Sequence, residues 1–151
     1  MTDLRGTARR DILGQHQRIR LLLEAARKLA EEALDGDTAA RGMIAAAIGN
    51  VRTTMERHLL FEEALLLPIL RDDALRGRRR ADRLLTEHTR QRATLAALQS
   101  DAGAHPELPE LAAKLAFLVE TLLAEMAEEE ASLLTTRVAR ADVVALEQNG
   151  E

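Results

Sequence analysis

The 151-residue chain has no cysteine, tryptophan or tyrosine, and only two phenylalanines. Without cysteine there can be no disulfide, thiolate zinc site, iron–sulfur cluster or cysteine nucleophile. Without tyrosine or tryptophan there is no side-chain radical partner and no aromatic electron relay. Any redox step must therefore occur at a bound group or with a molecule that diffuses in. No apolar run approaches the roughly 20 residues that span a bilayer. The polar start, Met1 to Arg10, lacks the apolar segment of a secretory signal. A cytoplasmic location is expected, with no membrane partner. Net charge is −4, and the one basic run, Arg76 to Arg80, sits beside a glycine with no aromatic neighbours. It reads as a solvated loop, and no nucleic-acid partner is expected.

Hydrophobic residues make up 46% of the chain, mostly alanine and leucine accompanied by arginine and glutamate. This is a helical composition of single-domain length, so residues 1–151 are expected to form one all-α domain with its core between 10 and 140. Breakers predict four helices, over about 10–34, 38–75, 79–101 and 107–140. The punctuation is Asp35-Gly-Asp-Thr38, Gly77 and Asp101-Ala-Gly-Ala-His-Pro106. A short amphipathic tail, Ala141 to Leu146, follows. Connections this short favour antiparallel neighbours, giving an up-down-up-down four-helix bundle with a C-terminal helical tail. The halves resemble each other: His58-Leu-Leu-Phe-Glu62-Glu63 aligns with Glu125-Met-Ala-Glu-Glu129-Glu130, and the helices holding His16 and His88 also correspond.

Two helix seams carry polar groups where apolar residues belong. In the second helix the four-three rhythm runs Ile44, Ile48, Val51, Met55, His58, Glu62, Leu65, Ile69. In the fourth it runs Leu111, Leu115, Leu118, Leu122, Glu125, Glu129, Ser132, Thr136. His16 shares the stripe of Ile12, Ile19 and Leu23; His88 shares that of Ala81, Leu84, Gln91 and Leu95. His16 and His88 lie near the starts of their helices, the acids toward the ends of theirs. Alternation of direction therefore brings His16, His58, Glu62, His88, Glu125 and Glu129 to one level of the bundle.

Burying a lone carboxylate costs at least several kcal/mol unless it is paired or bound to a metal. Three imidazoles with three carboxylates suit iron, manganese or zinc better than calcium or magnesium, and exceed what a four-coordinate zinc ion takes. If Glu62 and Glu129 each bridge, the set serves two metals and leaves positions for solvent and an exogenous ligand. The alternative is a metal-free network of His–Glu pairs closed by Arg57 or Arg92. Glu63, Glu128 and Glu130 flank the layer as solvated or supporting groups. Met55, Phe61 and Met126 are expected to wall it, and His105 to have no role.

One His on the first helix, His-x-x-x-Glu on the second, one His on the third and a Glu-ended pair on the fourth resemble the hemerythrin-like (HHE) family. The residues concerned are His16, His58 with Glu62, His88, and Glu129. The resemblance implies a non-haem centre of two iron ions with an oxo or hydroxo bridge. His16 and His58 would hold one iron and His88 the other, with Glu62 and Glu129 bridging. The family pattern has His where this chain has Glu125. A carboxylate there would favour higher-valent iron and move the site toward oxidase or peroxide chemistry. The expected function is reaction with O2, peroxide or NO in a redox, sensing or stress role. The alternatives are a small di-iron oxidase or peroxidase and a metal-free interaction module.

Overall fold

Apolar residues recur at helical spacing with few interruptions, and each predicted helix forms. A computed structural model describes residues 4–36, 39–73, 76–104 and 106–132. Its helices are α1 (Leu4–Leu34), α2 (Ala40–Arg71), α3 (Gly77–Gly103) and α4 (Leu108–Ser132). Thr136, the predicted continuation of the fourth helix to 140, the tail Ala141–Leu146 and His105 lie outside the described residues. No helix among the described residues is long and apolar enough to cross a membrane.

Helix α1 begins earlier than predicted because its stripe extends backwards. Ala8 is buried one turn before Ile12, and the stripe continues through His16, Ile19, Leu23, Ala26, Ala30 and Ala33. Its end is set at Gly36, whose φ of 103° lies in the left-handed region that closes helices at low cost for glycine. Helix α2 stops at Arg71, short of the predicted 75, and Gly77 opens α3 instead of ending α2. Here the chain passes so close to α2 that a Cβ on Gly77 would sit 1.5 Å from the Leu70 carbonyl oxygen. Only glycine fits that approach.

The seams drift by one residue toward the end of α2 and of α4. Leu66 and Leu70 are buried where Leu65 and Ile69 were expected; in α4 Met126 is buried, while Ser132 is exposed. A strict four-three pattern repeats every 3.5 residues, whereas a straight helix turns every 3.6. The buried line therefore slips by roughly 20° per heptad, or about one position over several heptads.

Helix α1 packs against α2 and α4, and α2 against α3; α3 and α4 make the loosest of these seams. Cross-helix pairs confirm the antiparallel order, with Arg27 2.6 Å from Glu120 and Arg52 2.7 Å from Gln99. Two apolar clusters fill the interior. The larger includes Ile19, Leu23, Ile48, Met55, Leu115 and Leu122, the smaller Ile12, Leu66, Leu70, Ala81 and Leu84. The polar layer lies between them.

Candidate metal centre

Antiparallel packing places the start of α1 beside the ends of α2 and α4, and this assembles the layer. His16, His58, Glu62 and His88 are all buried, between 0% and 4% exposed, and Glu129 is 12% exposed. Glu62 is the hub. Its Oε1 lies 3.2 Å from His58 Nε2 and 3.3 Å from His88 Nε2, while its Oε2 lies 3.6 Å from His16 Nε2. Glu129 Oε1 approaches the same His16 nitrogen at 3.2 Å. The His16 and His58 rings meet edge to face, 4.9 Å between centroids. All three imidazoles thus turn Nε2 inward.

Their outward nitrogens are tethered. Gln15 Oε1 accepts from His58 Nδ1 at 2.7 Å, Glu63 Oε1 from His88 Nδ1 at 3.1 Å, and Glu130 Oε2 from His16 Nδ1 at 3.3 Å. An acceptor on Nδ1 places the proton there and leaves Nε2 free as a ligand. Both supporting carboxylates are held by an arginine one turn beyond the histidine they serve. Arg92 grips Glu63 through two hydrogen bonds of 2.8 and 2.9 Å, and Arg20 binds both oxygens of Glu130. The internal repeat therefore reproduces an Arg–Glu–His relay: Arg20–Glu130–His16 on one side, Arg92–Glu63–His88 on the other.

The inward atoms are not satisfied by one another. His16 Nε2, His88 Nε2, Glu62 Oε2 and Glu129 Oε1 are buried without a hydrogen-bond partner, although all face the same space. Native proteins rarely leave such atoms unmet, because each costs about 1–3 kcal/mol. One donor atom from each of His16, His58, Glu62 and Glu129 lies within 4.8 Å of all the others. A void of about 10 Å³ lies between these residues, lined also by Met55, Leu59 and Met126. That is room for about one water-sized sphere. Nitrogen and oxygen donors in this number fit a transition-metal ion, which would satisfy the orphan atoms together.

The charge state of the ion-free layer points the same way. Burial opposes charging His16, but the facing carboxylates of Glu129 and Glu62 outweigh it and raise its pKa to about 9. Burial and the neighbouring Glu62 likewise push Glu129 up to about 9. Glu62 is held well below the usual carboxylate range: burial works against this, but Glu129 and the three histidines prevail. The His16–Glu129–Glu62 group thus favours taking up positive charge, as protons, where a cation would otherwise sit.

Glu125 stands apart from this group. The drift of the α4 seam leaves it 13% exposed at the edge facing α3, where its carboxylate meets Arg90 and Gln91. It lines the central void but is not among the four converging residues. Its burial is offset by those two partners without a metal. Arg57 does not close the layer; Arg92 takes part only through Glu63. Helix spacing marks Glu63 and Glu130 as flanking supports but gives no role to Gln15, Arg20 or Arg90. The overlooked signal is His-x-x-x-Arg on both α1 and α3, facing Glu-Glu on both α2 and α4.

Among known proteins, comparison with curated sequences and with solved structures gave no match. A family-level comparison did: the hemerythrin HHE cation-binding domain matches residues 7–136, spanning all four helices and every residue of the layer. The chain belongs to the hemerythrin HHE cation-binding family.

Proposed function

We propose that this is a non-haem di-iron protein that binds or reacts with O2, peroxide or NO in a redox, sensing or stress role. The observation that carries the proposal is the cluster of His16, His58, Glu62 and Glu129, with His88 approaching the same Glu62 oxygen as His58. Bound iron would supply open coordination positions and access to two oxidation states, which dioxygen, peroxide and NO all require. His16 and His58 would hold one ion and His88 the other, with Glu62 and Glu129 between them.

The chain's own residues prepare the site. Gln15, Glu63 and Glu130 fix the imidazole tautomers, so the rings need not reorient when a cation arrives. His16 and Glu129 give up their protons to make room for its charge. Met55, Leu59 and Met126 give the void an apolar wall. With no tyrosine or tryptophan in the chain, no oxidisable phenol or indole stands next to the reacting groups.

A carboxylate-rich oxidase or peroxidase centre would recruit Glu125, which here is engaged by Arg90 and Gln91. That engagement favours a carrier or sensor over the enzyme. Metal analysis and an optical spectrum of the full chain test the main reading. Two irons per chain with near-ultraviolet charge-transfer absorption are expected. A colourless, fully folded, metal-free protein from iron-replete cells would refute it. Reversible uptake of O2 or NO by the reduced protein is expected of the carrier or sensor, whereas rapid multi-turnover loss of peroxide would favour the enzyme.

A further inference from the structure

On the flank of the bundle, α1 and α2 border an open concavity of about 440 Å³, distinct from the central void although His58 borders both. This size is in the range of small-molecule sites, roughly 300–1,000 Å³. Arg18 from α1 and Arg57 from α2 both line it, and no acidic residue does. Several other arginines of the bundle pair with carboxylates: Arg20 with Glu130, Arg27 with Glu120, Arg52 with Glu56, Arg92 with Glu63. Arg18 and Arg57 have no hydrogen bond or ion pair among the described residues. The concavity thus presents two positive charges and no negative one, in a protein whose net charge is −4.

The rest of the wall defines the other half of the ligand. Ile19 is buried and Phe61 half-buried, giving an apolar surface beside the two cations. Thr54 adds a hydroxyl, and Gln15 and His58 complete the wall. A group that matches this lining has an oxyanion head and a short apolar body. We propose that the α1–α2 cavity binds a small organic anion, its carboxylate or phosphate head held by Arg18 and Arg57 and its body lying against Ile19 and Phe61. The proposal does not rest on the metal reading. It does place the occupant against His58, whose Nδ1 is held by Gln15 of the same wall.

Isothermal titration calorimetry of the full chain tests this with hexanoate, hexyl phosphate, inorganic phosphate and hexylammonium. Saturable one-to-one binding of hexanoate or hexyl phosphate is expected, and the tighter of the two identifies the head group. Inorganic phosphate, lacking the apolar body, should bind at least about tenfold more weakly, and hexylammonium not at all. Arg18→Gln and Arg57→Gln should each weaken the anion on the order of tenfold, the loss of one charge-assisted contact. Both side chains are exposed, so circular dichroism should show an unchanged fold. Anion binding that survives both substitutions would locate it elsewhere, for instance at a metal, and overturn the proposal. So would hexylammonium binding as well as hexanoate, or no saturable binding of either anion.

Discussion

Glu63→Ala separates the orienting role of the Arg–Glu–His relay from its contribution to stability. Glu63 is 15% exposed; it accepts the His88 Nδ1 hydrogen bond at 3.1 Å and two more from Arg92. Arg92 first, and His88 with it, hold its carboxyl below the usual range despite partial burial. As an ion pair near the surface, the Glu63–Arg92 contact is worth at most about 1 kcal/mol. As the group that fixes the His88 ring, it should matter more. Loss of such a supporting partner typically costs 10- to 100-fold in metal affinity, equivalent to about 1.4–2.7 kcal/mol. Chelator-competition titration with Fe(II) or Mn(II), beside a thermal melt of the metal-free protein, distinguishes the two. The weaker of two binding steps should fall 10- to 100-fold while the melt moves by a few degrees. Glu63→Gln, which keeps an oxygen for Nδ1–H, should recover much of the affinity. If both binding steps stay within twofold of wild type, His88 is not a ligand or Glu63 does not orient it.

Glu62→Ala removes the one carboxylate that faces all three histidines, and is expected to abolish dinuclear binding; atomic absorption showing unchanged stoichiometry would contradict the hub assignment. Glu125→Ala should leave the ion at His16, His58, Glu62 and Glu129 in place, because Arg90 and Gln91 already engage that carboxylate, and loss of all metal would show that it is a ligand. His16 and Glu129 hold protons up to about pH 9 in the folded, metal-free protein but release them near 6.5 and 4.5 when unfolded. The stability they contribute is therefore present at low pH and lost as pH rises toward 9. Melts of the metal-free protein should shift downward from pH 7 to 9, with a smaller shift when metal replaces those protons; a metal-free melting temperature that rises over this interval would be inconsistent with protons on both groups.

Much of the bundle was legible in the sequence because helix periodicity and breakers are local properties. The stripes of Ile12, Ile19 and Leu23 in α1 and of Ile44, Ile48 and Val51 in α2 define buried faces without knowledge of their partners. The short connections then leave few arrangements other than antiparallel ones. His16, His58, Glu62, His88 and Glu129 could be identified in the same way, since a polar group on an apolar stripe is anomalous by its spacing alone. Their common level followed from chain direction.

Only the tertiary structure decided which inward group faces which. The difference between a 3.5-residue pattern and a 3.6-residue helix accumulates along α2 and α4 until it moves a side chain to another face. It brings Leu66 inside in place of Leu65, and leaves Glu125 at the α3–α4 seam with Arg90 and Gln91. The relays from Arg20 and Arg92 leave a trace as His-x-x-x-Arg, but spacing within a helix does not say which glutamate each arginine meets, because those partners are far apart in the chain. Sequence by itself determined that acids and histidines are buried in a four-helix bundle, because that depends on spacing within each helix. Packing determined that Glu62 is their hub and that Glu125 stands aside, because that depends on the rotation of one helix against the next.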